Sequence, residues 1–107
     1  MMKMAMVMTI MKRPEAKIEE YFEKTAESNG FLHFKFTSGV TGVPDRIIIG
    51  YGTVAFVELK AANGVLSKRQ QFVINTIRRH GGIVFVPYSK EDIDDIIISL
   101  KNKNSVA

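Results

Sequence analysis

Apolar positions along the chain follow two different periods, and the switches between them outline the fold. From Pro14 they recur at helical spacing, with Ile18, Tyr21, Phe22, Thr25 and Ala26 forming one stripe. Proline is accepted in a first helical turn, and Asn29-Gly30 supplies a stop. Phe31 to Thr37 alternates instead, which predicts a strand with Leu32, Phe34 and Phe36 on one side and His33 and Lys35 on the other. His33 reads as a surface or satisfied side chain rather than a ligand. Two β-branched runs follow, Ile47 to Ile49 and Val54 to Val57, joined by Gly50-Tyr51-Gly52-Thr53. Glycines there provide the positive φ of a tight hairpin turn. Ser67 then caps a second helix that runs to about His80 before Gly81-Gly82, with Gln70, Val73, Ile74 and Ile77 on one stripe. Ile83 to Pro87 is a continuous apolar run suited to a buried strand. Ser89 and Asp92 open a last amphipathic helix built on Ile93, Ile96, Ile97 and Leu100. The order is α-β-β-β-α-β-α. A helical crossover after a hairpin makes a parallel pair, so the expected fold is α/β, a mixed four-stranded sheet flanked by helices.

The hairpin sets a register with a chemical consequence. A turn centred between Tyr51 and Gly52 pairs Ile49 with Val54, Ile47 with Phe56, and Asp45 with Glu58. Asp45, Glu58 and Lys60 then share a face with Ile47, Ile49, Val54 and Phe56, while Ile48, Ala55, Val57 and Leu59 take the other. Both sides are mostly apolar, which predicts strands covered on both faces. Unit charges about 5 Å apart repel by roughly 3 kcal/mol at an effective dielectric near 20. A divalent cation reverses the sign of that cost, and hard oxygen ligands suit Mg²⁺ or Mn²⁺. Lys60 lies two residues beyond Glu58, about 6.5 Å along the same face, within reach of a water or a phosphate. Each residue also has a plainer explanation. Pro-Asp is ordinary turn chemistry, and Glu58 with Lys60 could be a solvated sheet edge. Their apolar neighbours argue against the edge.

Composition narrows the setting. The 107 residues are 46% hydrophobic and 24% charged, appropriate to a single globular domain with one core. With no cysteine, disulfides and thiolate zinc sites are excluded, and an intracellular location is compatible. Lys and Arg number 15 against 11 Asp and Glu, a formal charge of +4 that suits a polyanionic partner. Residues 1–12, MMKMAMVMTIMK, are apolar but too short for a membrane span and lack a signal-peptide cleavage site, so they read as an N-terminal extension. The domain proper is expected over residues 13–101, with 102–107 as a tail. On the second helix Lys68, Arg69, Arg78 and Arg79 project away from the buried stripe with no acid among them, a positive patch suited to a DNA backbone. No base-reading motif is visible, so recognition is expected to follow shape and salt rather than sequence.

Pro44-Asp45, the hairpin, and then Glu58-Leu59-Lys60 resemble the signature of PD-(D/E)XK nucleases. The longer string GVPDRIII…VAFVELKAANGVLSKRQ is similar to the VRR-NUC branch of that superfamily, over roughly Glu15 to Val86. The resemblance implies a restriction-endonuclease-like core and a metal-dependent DNA endonuclease. Asp45 and Glu58 would hold Mg²⁺ or Mn²⁺ with the carbonyl of Leu59. A helix glutamate would join them, Glu19 by its context and Glu15 as the alternative. Lys60 and Gln70 would position and activate the attacking water, with Gln71 in place of Gln70 if the helix began one residue later. Gln70 also has capping-box spacing from Ser67, so its structural and catalytic explanations both stand. Lys35, and Arg46 of the PDR string, are expected to contact DNA along with the basic helix.

Stand-alone members of this branch resemble Holliday-junction resolvases, which implies branched DNA as substrate, a homodimer with two sites, and cleavage to 5′-phosphate and 3′-hydroxyl ends. It also suggests the cytoplasm of a bacterial or phage-infected host. A non-catalytic DNA-binding module on the same fold is the second expectation.

Overall fold

The computed structural model describes residues 14–102. The N-terminal extension and residues 103–107 of the expected tail lie outside the described residues. Within them the element order is α1 (Pro14–Ser28), β1 (Leu32–Lys35), β2 (Arg46–Gly50), β3 (Thr53–Val57), α2 (Lys68–Arg79), β4 (Val84–Phe85) and α3 (Lys90–Asn102). The strands form one sheet in the order β1-β2-β3-β4, antiparallel except for the β3–β4 pair. This is the mixed α/β sheet the periodicities predict.

The turn fixes the register. Gly50 pairs with Thr53, which leaves Tyr51 and Gly52 as a two-residue loop at φ 53° and 80°. Two consecutive positive φ values match the right-handed twist of the flanking strands. Tyr51 tolerates its unusual backbone because its hydroxyl donates to the Asn29 carbonyl at 2.9 Å and its ring packs on Phe31, with centroids 4.9 Å apart. Ile49 then faces Val54 and Ile47 faces Phe56, as the hairpin reading requires.

One face of the sheet carries the core. Ile48, Ala55 and Val57 are buried against Phe22 and Ala26 of α1 and Ile93, Ile97 and Leu100 of α3. Tyr21 ties the two helices, its hydroxyl donating to Asp94 at 2.6 Å, and Lys101 of α3 donates at 3.1 Å to the side chain of Asn29, just past the end of α1. The opposite face departs from the expectation of burial on both sides. Helix α2 lies beside β4, where Val73, Ile74 and Val84 are buried, but Leu32, Phe34 and Val54 remain more than half exposed. A short helix at one edge of a four-stranded sheet cannot cover the strands at the other.

Arg46 also departs from expectation. Alternation puts it on the same face as Ile48, and it is 3% exposed, with its guanidinium 3.0 Å from Glu23 and 3.7 Å from Glu19 on α1. It stacks over the Phe22 ring at 5.8 Å. It is turned into the protein and is not presented to DNA.

Two outcomes are expected from this packing. A Cβ on Gly50 would stand 2.4 Å from the Phe31 ring, so Gly50→Ala is expected to lower unfolding free energy by about 1–3 kcal/mol. An unchanged urea midpoint would contradict the close approach. Arg46→Ala leaves the inward-facing Glu23 without its partner and is expected to cost about 2–4 kcal/mol, below the fully buried case because Glu23 is partly solvated. Chemical denaturation of the variant checks this.

Candidate active site

Main-chain pairing extends beyond the regular strands, before the start of β2 and after the end of β3, and that extension builds the site. The N–H of Phe36 donates to the Asp45 carbonyl at 2.8 Å, so β1 still holds β2 at that residue. On the other side the N–H groups of Phe56, Glu58 and Lys60 donate in turn to the carbonyls of Ile83, Phe85 and Pro87, at 2.8, 2.9 and 3.1 Å. Every second N–H pointing to the same neighbour means that Glu58 and Lys60 keep strand alternation. Pro44, immediately before Asp45, is fully buried and fixes the chain as it enters β2.

Asp45 and Glu58 stand between two depressions. The first, of about 230 Å³, is lined by Glu15, Ile18 and Glu19 of α1 together with Asp45, Arg46, Glu58, Leu59 and Lys60. The second, of about 310 Å³, is lined by Thr41, Gly42 and Val43, by Asp45 and Glu58 again, and by Ser67 and Gln70. Nearly every residue expected at the site, Asp45, Glu58, Leu59, Lys60, Glu19 and Gln70, therefore borders one or both. The side chain of Leu59 packs against the core while its backbone runs along the first depression.

Glu58 is the electrostatic centre. Its side chain is 14% exposed, and burial pushes its carboxyl above the ordinary carboxylate range. Lys60, with Nζ 3.8 Å away, opposes that rise, while the charges of Asp45 and then Glu15 add to it. Desolvation thus outweighs the carboxylate repulsion argued from the hairpin, though the repulsion is present. The Gln70 side chain serves both functions open to it. Its Oε1 accepts from the Ser67 N–H at 2.9 Å to complete the capping box, and its Nε2 reaches toward Glu58 at 3.4 Å. Gln71 instead donates to the Leu66 carbonyl and is exposed.

Both α1 acids named as candidates, Glu19 and its alternative Glu15, line the first depression. Glu19 also lies 3.7 Å from Arg46, and the charge of Glu15 adds to the rise at Glu58. An arginine following Asp45 in a strand must point away from Asp45 and toward the helix packed there, so acids at i and i+4 on that helix, Glu19 and Glu23, were the available signal. Among the described residues no three His, Cys, Asp or Glu side chains are gathered as a ready-made metal cluster. The donor set nevertheless suits a hard cation: carboxylates converge in a polar depression, and one of them is destabilised as an anion by its surroundings.

The sequence profile of the VRR-NUC domain matches residues 5–91. The chain belongs to the VRR-NUC family. A solved structure described as a VRR-NUC domain superposes with a TM-score of 0.74 at 28% identity, covering 81% of this chain and 97% of that one. No curated protein matches by sequence. The family places the chain among nuclease-type DNA-processing domains with a restriction-endonuclease-like fold. The family match begins at residue 5, inside the stretch read as an extension.

Around the site of this VRR-NUC domain, the expected DNA contacts fall into three groups. Lys35 is exposed at the end of β1, and Lys68, Arg69 and Arg79 are exposed on α2. Arg69 is nonetheless anchored, donating from Nε to the Thr41 carbonyl at 3.1 Å. Arg78 donates to the Val84 carbonyl at 2.7 Å and so fastens α2 to β4. Arg46 is internal. Among the described residues no helix is long and apolar enough to cross a membrane.

The raised Glu58 carboxyl has a signed consequence. Between its unfolded value near 4.5 and its higher folded value, the native state holds more protons than the unfolded state, so stability falls as pH rises through that window. Glu58→Gln is expected to remove this loss and to melt higher than wild type at pH 7–8 in EDTA. A variant that melts lower at neutral pH would show that the ionised carboxylate stabilises the fold.

Proposed function

We propose that this chain is a metal-dependent DNA endonuclease that hydrolyses phosphodiester bonds in branched DNA. The observation that carries the reading is the convergence of Asp45, Glu58, Lys60 and Gln70 on one sheet end, two of them joined to Glu58 by contacts of 3.8 and 3.4 Å. Asp45 and Glu58, with the Leu59 carbonyl, would hold Mg²⁺ or Mn²⁺. Glu15 or Glu19 would supply the additional negative charge from α1. Held by these residues, the ion would supply Lewis-acid chemistry at the phosphate and help to activate the attacking water.

The protein's own groups do the rest. Lys60, held beside Glu58, presents a positive charge where negative charge builds on the phosphate, and it orients the attacking water. Gln70 restrains the Glu58 carboxylate by its amide, while its cap role locks its own rotamer. Lys35, Lys68, Arg69 and Arg79 supply the phosphate contacts that hold the duplex without reading its sequence. Arg78 is exposed beside them, with one guanidinium nitrogen committed to the Val84 carbonyl and the rest of the group open to a phosphate.

A homodimer with two sites suits a domain of this size and cuts on paired strands. The apolar sheet face bearing Leu32, Phe34 and Val54 is the surface that supports pairing. A DNA-binding module without catalysis remains the second reading, favoured by the absence of a preformed three-acid cluster among the described residues.

Incubation with four-way junction, flap, linear and supercoiled DNA in Mg²⁺, Mn²⁺ or EDTA separates the two. The nuclease reading expects metal-dependent scission, strongest on branched substrates, with 5′-phosphate ends. Glu58→Gln and Lys60→Ala are expected to lower the rate by about 10²–10⁴-fold while DNA retention changes little. Retention with no scission in either metal would leave the binding module. In sedimentation velocity, wild type is expected as a dimer and Phe34→Lys as a monomer; a monomeric wild type would remove the two-site arrangement.

A further inference from the structure

Helix α2 carries an aromatic side chain that neither the core nor the proposed chemistry uses. Phe72 is 57% exposed, although the helix buries Val73 and Ile74 next to it. At 100° per residue Phe72 points opposite to Gln70, so it shares the outward face with Lys68, Asn75 and Arg79, all exposed. Arg69 borders the same face, its guanidinium 5.5 Å from the Phe72 ring centroid. Its Nε holds the carbonyl of Thr41, which lines the depression shared by Asp45, Glu58 and Gln70. A ring flanked by cations is thus coupled, through one anchored arginine, to the rim of the candidate active site.

The chemistry of this face selects its partner. Helix α2, KRQQFVINTIRR, has no acidic residue. A two-fold contact through it would set Lys68, Arg69 and Arg79 against their own copies, so a second chain is disfavoured here. A polyanion is favoured, but the ring itself gains nothing from a phosphate. In a continuous duplex the base faces are stacked on one another and only their edges reach the grooves. An unpaired base offers its face, and stacking on an aromatic ring tolerates any sequence.

We propose that Phe72, backed by Arg69, is a stacking platform for an unpaired nucleobase, so that the substrates held best are DNAs with unpaired bases beside a duplex, such as flaps and splayed arms. This rests on the nuclease reading for its biological setting, and it concerns binding, not the hydrolytic step.

The test is fluorescence anisotropy in EDTA with a splayed-arm DNA and a fully paired duplex of equal length, using wild type, Phe72→Ala and Phe72→Trp. Wild type is expected to prefer the splayed arm. Phe72→Ala is expected to weaken that complex by about 5- to 100-fold while moving duplex affinity less than about two-fold, and Phe72→Trp to restore it. A 2-aminopurine series across the unpaired positions nearest the branch is expected to show emission quenched by wild type and Phe72→Trp but not by Phe72→Ala. Circular dichroism melting verifies that the exposed substitution leaves the fold intact. Equal weakening on both DNAs, no weakening on either, or loss of a dimer in sedimentation on Phe72→Ala would overturn the platform. Phe72-dependent binding without metal-dependent scission would sink the nuclease reading alone, and scission with Phe72-independent binding would sink the platform alone.

Discussion

The structure depends on a parallel ladder that outlasts its own strands. Three successive alternate N–H groups, of Phe56, Glu58 and Lys60, are spent on the carbonyls of Ile83, Phe85 and Pro87. Because main-chain partners are taken at every second residue, the side chains of Glu58 and Lys60 have no freedom to rotate to the core side. Asp45 is held in a similar way by Phe36 across the other edge of the hairpin. A carboxylate pair and a lysine are thereby fixed in place by backbone bonds on both sides, with side-chain restraint from Gln70 added on top. Sites carried on paired backbone hold their geometry better than sites on free loops.

The buried Arg46 explains how α1 can bring acids toward that site without losing its hold on the sheet. A charge taken out of water is costly unless paired, and here Glu23 and Glu19 pair with it while Phe22 covers its face. The Ile18, Phe22 and Ala26 stripe seats α1 on the core, and on its flank Glu15 and Glu19, one turn apart, both line the acidic depression. Burial raises the Glu58 carboxyl, Lys60 partly offsets the rise, and the neighbouring acids add a smaller push in the same direction.

Much of the fold was legible because its signals are periodic. The α1 stripe of Ile18, Phe22 and Ala26, the Tyr51-Gly52 turn, and the Ser67–Gln70 capping box all depend on residues close in sequence, and each appears where its spacing predicts. What could not be read was set by the packing of distant elements. Whether the sheet face with Leu32, Phe34 and Val54 would be covered depended on the length and position of α2, which hydrophobicity alone does not report. The motif suggests a DNA contact at Arg46, but strand parity sends its side chain to the α1 face, where Glu23 pairs with it. Nothing local announces that Glu19 has Arg46 beside it, or that Arg78 of the basic patch bonds the Val84 carbonyl. The Gln70 ambiguity had a resolution that the spacing permitted: both contacts, from two ends of one amide.

In the proposed function Asp45 and Glu58 together would seat a hard divalent cation. Anomalous diffraction from crystals grown with Mn²⁺ tests it most directly. A Mn²⁺ peak is expected between the Asp45 and Glu58 carboxylates, adjacent to the Leu59 carbonyl and within reach of an α1 glutamate. A manganese-containing crystal in which Lys60 and Gln70 alone satisfy Glu58, with no peak between the two carboxylates, would contradict it.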